Sequence, residues 1–170
     1  NYTIASSAYF SYLLGATTNT ADDNVDLPIE IGLNSYYQIP ILNGAYYLYG
    51  GADYEKFNTF NLKGIEESNT IDFDVNQLLF ATIGFSKTFG LLKKKFLFKG
   101  SFSQSILASR ETGFSGDSGT DAYSGYKVMG FLLSKLRPDF YVSTLVKYHA
   151  LGGPSDVSSL RIGIGCGYLF

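Results

Sequence analysis

His149 is the single histidine of this sequence, and it is the side chain best suited to act as a base near neutral pH. Three serines and an aspartate follow it closely: Ser155, Asp156, Ser158 and Ser159. A nucleophilic hydrolase needs a serine, a histidine and an orienting acid within hydrogen-bond reach of each other. The two residues directly after His149 are apolar, so no His-x-Ser motif is present. We therefore interpret His149 as a histidine hydrogen-bonded to polar neighbours inside the fold, and we predict no catalytic residue.

Other site chemistries are excluded by composition. The single cysteine, Cys166, rules out a disulfide framework and a multi-cysteine zinc site, and one histidine rules out a His-rich metal site. The glycines Gly163, Gly165 and Gly167 are spaced by two, as in a strand, and do not form a phosphate-binding loop. With 13 basic and 15 acidic residues, the net charge of −2 argues against nucleic-acid binding. We predict no cofactor and no metal.

Charged and tyrosine side chains at alternating positions of apolar segments are more informative. The charged residues are Glu30, Asp53, Glu55, Lys99, Lys147 and Arg161. The tyrosines are Tyr9, Tyr36, Tyr47, Tyr49 and Tyr141. Alternation turns all of them towards the polar side of their segments, and an unpaired buried charge is costly. We therefore expect a network of salt bridges and hydrogen bonds, which acts either as a structural plug or as a gate for ions or a small solute.

The segments that carry these residues have a period of two, which indicates β-strands. Eight strands are predicted, near Thr3–Leu14, Ile29–Gln38, Ala45–Glu55, Val75–Thr88, Phe96–Ser109, Tyr123–Leu136, Phe140–Ala150 and Leu160–Phe170. Long polar connections are expected at Thr17–Leu27, Lys56–Asp74, Arg110–Ala122 and Leu151–Ser159. Short ones lie between them, at Ile39–Gly44, Gly90–Lys95 and Arg137–Asp139. An even strand number with this alternation predicts an all-β fold: one up-and-down antiparallel barrel spanning residues 1–170.

Three observations predict that the apolar face of this barrel points outward. Charged residues make up 16% of the chain, against about 25% in ordinary globular proteins. The strands are long enough to cross a bilayer, which takes about 9–11 residues per strand. Aromatic residues near the strand ends could form interfacial girdles: Tyr12, Tyr37, Tyr46, Tyr54, Phe89, Tyr148, Tyr168 and Phe170. The alternative is a soluble, lipocalin-like barrel with its apolar face inside and a small hydrophobic ligand.

The C-terminal residues IGIGCGYLF resemble the terminal strand signal of bacterial outer-membrane β-barrels. In that pattern a final aromatic residue follows apolar or aromatic residues at alternate positions, matched here by Ile164, Cys166, Tyr168 and Phe170. The whole chain resembles the eight-stranded barrels of the outer-membrane protein A or X type. The resemblance implies a monomeric transmembrane barrel in the bacterial outer membrane, with membrane lipid around it and a terminal signal read by the barrel-insertion machinery.

Charge is sorted between the two sets of connections. The long connections hold 11 of the 15 acidic residues: Asp22, Asp23, Asp26, Glu66, Glu67, Asp72, Asp74, Glu111, Asp117, Asp121 and Asp156. The basic residues of the long connections are Lys56, Lys63 and Arg110. The short turns and their edges hold Lys87, Lys93, Lys94, Lys95, Lys135 and Arg137. If the termini lie in the periplasm, the acidic connections face the exterior, either as solvated loops or as loops that collect divalent cations such as calcium.

Four functions remain open from the sequence. The first is a non-enzymatic structural or surface-interaction barrel, whose acidic loops meet an external partner. The second is a narrow channel for ions or small solutes. A lipid-modifying outer-membrane enzyme and a soluble ligand-binding barrel are the remaining alternatives.

Overall fold

Eight strands make up most of the computed structural model, which describes residues 3–18, 24–44, 46–61, 73–91, 94–111, 122–153 and 156–169. They are β1 (Thr3–Thr18), β2 (Asn24–Ile41), β3 (Tyr46–Asn61), β4 (Phe73–Leu91), β5 (Lys94–Glu111), β6 (Ser124–Lys135), β7 (Phe140–Gly152) and β8 (Val157–Leu169). One turn of 3-10 helix, Leu42–Gly44, connects β2 to β3. The prediction of eight strands is confirmed. Within the described ranges, no helix is long and apolar enough to cross a membrane.

The strands close into one antiparallel barrel in chain order. β1 pairs with β8 from Ala5, opposite Leu169, to Thr18, opposite Val157, so no strand edge is left open. The β2–β3, β4–β5 and β6–β7 connections lie at one end of the barrel, here called the turn end. The other four connections lie at the opposite, loop end. The predicted up-and-down topology is confirmed.

The strands extend further into the predicted long connections than the sequence indicated. β3 continues to Asn61, β4 begins at Phe73, and β5 continues to Glu111. Only residues 153–156 separate β7 from β8, so that predicted long connection was wrong. The physical reason is that a ladder bonds backbone groups, so neighbouring strands can continue pairing through polar residues that look like loop residues in sequence.

The outside of the wall is apolar and the inside is largely polar. On β8, Leu160, Ile162 and Ile164 are exposed, whereas Arg161 is fully buried inside the barrel. The same alternation runs along β7, where Val146 and Tyr148 face out. This is the arrangement of a membrane-spanning barrel, so the soluble lipocalin-like alternative is wrong.

Exposed aromatic side chains lie near both ends of the wall. Those expected in the girdles and found exposed are Tyr12, Tyr37, Phe89, Tyr148 and Tyr168. Tyr46 and Tyr54 are half-buried, and Phe170 lies outside the described residues. These positions fit the interfacial belts of membrane barrels, where amphipathic rings meet the headgroup region.

Two apolar clusters lie inside the barrel at different heights. The cluster towards the turn end consists of Tyr9, Met129, Phe131, Leu133, Tyr141 and Leu145. The cluster towards the loop end consists of Phe57, Leu78, Phe80, Tyr123, Leu151 and Val157. The charged residues at the centre of the lumen lie between them along the strands, as Lys127 does between Tyr123 and Met129 on the β6 side of the barrel. Packed apolar side chains therefore flank this central charged layer on both sides.

Glycines make room for the large interior side chains. A Cβ atom at Gly32 would overlap the Tyr9 ring, and one at Gly167 would overlap the Tyr141 ring. Gly167 on β8 thus accommodates the ring of Tyr141, which stands opposite it on β7. The lumen of this small barrel is filled by side chains.

Candidate functional site

The centre of the lumen holds a charged cluster whose members come from opposite sides of the wall. Asp53 and Glu55 lie on β3 and Glu30 lies on β2, and all three are buried. Lys127 Nζ on β6 lies 2.8 Å from Asp53 Oδ2 and 2.7 Å from Glu55 Oε1. Because β4 and β5 separate β3 from β6 in the wall, these contacts cross the barrel interior.

Lys147 forms a second cross-lumen contact. Its Nζ pairs with Glu30 Oε1 and lies 3.1 Å from Glu55 Oε1. Arg161 on β8 is fully buried, and its Nε lies 3.4 Å from Glu30 Oε2. The cluster therefore contains three carboxylates and three cationic side chains, which balance if all six are ionised. Such pairing is required because an uncompensated buried charge is costly.

Tyrosine hydroxyls donate further hydrogen bonds to the carboxylates of the cluster. Tyr36 Oη donates a hydrogen bond of 2.8 Å to Asp53 Oδ2. Tyr9 Oη donates to Glu55 Oε1 and lies 3.2 Å from Asp53 Oδ1. Ser11, which lies on β1 with Tyr9, places its Oγ 3.4 Å from Glu30 Oε1 on β2. These hydroxyls tie β1 and β2 to β3 and fix the orientation of the acidic side chains.

His149 joins the same cluster. Its Nε2 lies 2.8 Å from Glu55 Oε2, its Nδ1 lies 3.8 Å from Glu30 Oε2, and its ring stacks on Phe80 at 6.1 Å. Both ring nitrogens thus face carboxylates, and neither is directed at a serine. Of the serines considered above, Ser158 is half-buried, Ser159 is buried opposite His149 in the β7–β8 pairing, and Ser155 lies outside the described residues. The arrangement is that of an interior histidine within hydrogen-bond reach of a carboxylate.

Glu30, Glu55 and His149 lie close enough together to be considered as ligands of a metal ion. One ligand atom from each lies within 4.8 Å of the others, and all three residues are buried. The two carboxylates, however, already hold Lys127 and Lys147. A divalent cation would have to enter beside these ammonium groups, so its binding would be opposed by like-charge repulsion. The arrangement favours ion pairing over metal binding.

Three of the predicted network residues form a separate group towards the turn end. Lys99 Nζ lies 5.7, 5.4 and 6.0 Å from the ring centroids of Tyr36, Tyr49 and Tyr141. Tyr49 Oη donates to the carbonyl oxygen of Gly100 at 3.1 Å, and Tyr141 Oη lies 3.4 Å from that of Ser6. This group makes cation–π contacts and backbone hydrogen bonds, and Tyr36 connects it to the charged cluster.

The predicted residues are therefore divided by the structure. The central cluster brings together Glu30, Asp53, Glu55, Lys147, Arg161, Tyr9 and Tyr36. Lys99, Tyr49 and Tyr141 lie in the turn-end group, whereas Tyr47 is half-buried near the β2–β3 connection, opposite Pro40 and Ser86.

Sequence reasoning missed Lys127 as a member of the cluster. Residues 128–133 of β6 are apolar on both faces apart from Gly130, so alternation is hard to see there. The exposed neighbours Tyr126 and Val128 carry the signal that could have found it, because they place Lys127 on the opposite, inward face.

A further buried ion pair lies towards the loop end and corrects the placement of two residues. Asp74 and Arg110 were expected in solvated loops, but they lie on β4 and β5. Arg110 Nε donates to Asp74 Oδ2 at 3.0 Å, and the Asp74 side chain is fully buried. Alternation continues through β4 to this position, which places Asp74 on the inner face, where Arg110 balances its charge.

The other predicted loop charges are only partly described. Asp26 and Glu111 lie within strands, Lys56 is exposed on β3, and Asp156 is exposed before β8. Outside the described residues lie Asp22, Asp23, Glu66, Glu67, Asp72, Asp117, Asp121, Lys63 and Lys93. An acidic exterior at the loop end therefore stays a prediction.

The residues of the C-terminal signal are placed on the outer wall. Ile164, Cys166 and Tyr168 are exposed on one face of β8, and Phe170 lies outside the described residues. Tyr168 stands opposite Phe140 of β7, next to the turn end. These side chains therefore face the outside of the barrel and not its lumen.

Comparison with known proteins identifies the fold. No model of a protein family matches the sequence, and no curated protein matches it either. The structure is similar to Neisserial surface protein A (NspA), with a TM-score of 0.57 and 12% identity over 98% of this chain and 96% of that one. It also aligns with Ail, the attachment invasion locus protein of Yersinia pestis, with a TM-score of 0.49 and 12% identity over 99% and 97%. The translocator domain of the autotransporter NalP from Neisseria meningitidis gives a TM-score of 0.30 and 8% identity over 96% and 87%.

NspA and Ail are small eight-stranded outer-membrane β-barrels. At this level of identity the likeness to NspA establishes the fold alone. The resemblance inferred from the terminal strand is confirmed at that level: the chain has the fold of a Gram-negative outer-membrane barrel, the architecture expected for that location.

Proposed function

We propose that this chain is an integral barrel of the bacterial outer membrane that acts without catalysis, as a structural or surface-interaction protein with a plugged lumen. The observation that carries the proposal is the charge-balanced cluster around Glu55, which joins opposite sides of the wall through Lys127 and Lys147. Acidic loops at the loop end, predicted from the sequence, would provide the surface that meets an external partner. Membrane lipid would cover the apolar wall around a single barrel.

The packing of the cluster supports a plug rather than a channel. Asp53, Glu55, Lys127, Lys147 and Arg161 are all fully buried. Apolar clusters cover the charged layer towards both ends. A conducting path needs water or ion-coordinating groups along its whole length, and these apolar layers interrupt it.

The surroundings of His149 support a non-enzymatic role. Catalysis by a serine needs a histidine nitrogen within hydrogen-bond reach of the hydroxyl. The two nitrogens of His149 face Glu55 and Glu30 instead.

Planar-bilayer recording tests the plug. We expect the purified protein, folded as judged by a heat-dependent shift in gel mobility, to show no steady unitary currents. Lys147→Met and Arg161→Met should lower stability without creating a regular conductance. Steady wild-type currents whose size changes in these folded variants would support the narrow channel instead.

Loop deletion tests the surface role. Cells displaying the barrel should bind an external surface, and removal of residues 112–121 should abolish that binding while the barrel still folds. Removal of 62–72 provides a second loop of similar length for comparison. Unchanged binding by cells whose barrel lacks both loops would contradict the surface role. Changes in membrane lipid that depend on the protein and disappear in His149→Ala would contradict the non-enzymatic role.

We also infer that the outward row of β8, with Phe170, is the signal read by the barrel-insertion machinery. Tyr168→Ala combined with removal of Phe170 should slow assembly in cells. Ile162→Ala, on the same face but further from the C-terminus, serves as the control. Equal assembly rates for the two variants would contradict this inference.

A further inference from the structure

Lys99 is an interior cation that lies outside the charged cluster. Its side chain is 3% exposed, and its described contacts are those with the three tyrosine rings. No carboxylate among the described residues lies within ion-pair distance of its Nζ. Asp53, whose partner Tyr36 packs against Lys99, is itself held by Lys127 at 2.8 Å. A buried ammonium group carries three donors, and cation–π contacts compensate only part of its lost hydration.

A second polar group without a partner lies beside Lys99. Ser86 on β4 stands directly opposite Lys99 in the β4–β5 pairing and is fully buried. Its hydroxyl has no hydrogen-bond partner among the described residues. Lys99 and Ser86 are thus neighbouring inward polar groups whose hydrogen-bonding capacity is left unused by the described residues.

A cavity lies next to these groups at the turn-end mouth of the lumen. Its volume is about 210 Å³, and its lining includes Lys99, Lys135, Tyr141 and Thr88 together with Phe96, Leu97 and Leu133. Lys135 stands opposite Tyr141 in the β6–β7 pairing, and its ammonium group, which donates to the Pro138 carbonyl oxygen at 3.2 Å, has two further donors at the opening. Drug-sized ligands occupy cavities of about 300–1,000 Å³, so this one suits a smaller group.

The charge around the mouth favours an anion. Lys135 and Arg137 are exposed at this end of the barrel, and Lys99 lines the cavity. None of the cavity-lining residues is acidic, and Asp139 is the acidic residue of the nearby β6–β7 turn. Clustered positive charge with low-dielectric walls raises the local concentration of anions.

We propose that the turn-end mouth is a binding site for a phosphate-class oxyanion, held by Lys99 at its base and Lys135 at its rim. Thr88, which lines the cavity, supplies a hydroxyl donor beside it. The anion is either free phosphate or the phosphate of a lipid headgroup, since both present the same oxygens to the ammonium groups. Phe96, on the outward side of the cavity lining, fits the apolar part of a lipid beside its headgroup.

Titration with inorganic phosphate tests the site on the folded protein in an uncharged detergent. We expect saturable binding, observed by phosphorus NMR or calorimetry, that weakens about tenfold or more in Lys99→Met through loss of a charge-assisted contact. Lys135→Met should weaken it less. Lys87→Met is the matched control, because Lys87 is an exposed lysine near the same end that lies over the Tyr46 ring, outside the lumen. Binding that does not saturate, or that is equal in Lys99→Met and Lys87→Met, would overturn the proposal.

Two further measurements complete the test. In nanodiscs, preferential retention of phosphatidylglycerol over phosphatidylcholine that requires Lys99 would assign the site to a lipid headgroup. If free phosphate binds equally well whatever the lipid composition of the bilayer, the site would be assigned to inorganic phosphate. If Lys99→Met does not fold, phosphate should raise the unfolding temperature of the unaltered protein more than chloride at equal ionic strength. Equal shifts with the two salts would overturn the site.

Discussion

Lys127 Nζ lies 2.7 Å from Glu55 Oε1 and connects β6 to β3 across the inside of the barrel. Lys147, from β7, reaches the same carboxylate oxygen at 3.1 Å. One glutamate thus receives two ammonium groups from strands on the far side of the wall. The barrel is held together by its backbone ladders around the circumference and by these contacts across its middle.

Removing the Lys127 charge should destabilise the barrel strongly. Lys127→Met leaves Asp53 and Glu55 with one cationic partner fewer in a buried setting. Breaking one side of a buried ion pair typically costs about 3–5 kcal/mol, and we expect a loss near the lower figure because Lys147 remains beside Glu55. Urea unfolding in detergent, monitored by far-UV circular dichroism, measures it.

The matched control for this variant is Lys56→Met, at an exposed position of β3. It removes the same charge from the outer face and should change the free energy of unfolding by less than about 0.5 kcal/mol. Similar losses for the two variants would show that net charge, and not the cross-lumen contact, determines the effect.

A methyl group at Gly32 should disturb the tyrosine that orients the carboxylates. A Cβ there would overlap the Tyr9 ring, whereas at Gly50 the nearest atom within reach is a backbone oxygen at 3.6 Å. Overpacking of this kind costs about 1–3 kcal/mol, so Gly32→Ala should lower the free energy of unfolding by that amount. Gly50→Ala should leave it nearly unchanged, and the replacement Tyr9→Leu should recover part of the loss. No recovery would argue against a clash with Tyr9.

The pair of Asp74 and Arg110 should behave as one unit in a double-mutant cycle. Asp74→Leu or Arg110→Leu alone leaves a buried or nearly buried charge without its partner, at a cost of about 3 kcal/mol. The double variant should lose clearly less than the sum of the two single losses, because both charges are then absent. Additive losses would place these side chains in solvent, as loop residues.

The β2–β3 connection stores backbone strain at one residue. Leu42 has φ +48° and Asn43 has φ +57°, in the left-handed region that asparagine tolerates better than leucine. Leu42→Asn should therefore raise the free energy of unfolding by about 1 kcal/mol. Leu42→Ala, which removes the exposed side chain but retains a Cβ, should give no comparable gain. Equal gains from the two variants would assign the effect to loss of exposed apolar surface.

Alternation predicted the direction of most side chains correctly, because a strand in a closed wall has only two faces. Glu30, Asp53 and Arg161 were placed inside on that basis, and Ile162 outside. The pattern failed on β6, where apolar residues occupy both faces and Lys127 was overlooked. It also failed to place Asp74 in a strand, since a polar residue near a strand end looks the same in sequence whether it faces solvent or lumen.

The sequence by itself determined the class of fold, because period-two apolar residues, few charges and an aromatic terminal strand are properties of single segments. Only the tertiary structure decided which charges meet. The pairing of Lys127 with Glu55, and the isolation of Lys99 among tyrosines, depend on the stagger of strands that are not neighbours in the wall. No local pattern encodes that stagger, since it is set by the registers accumulated around the whole barrel.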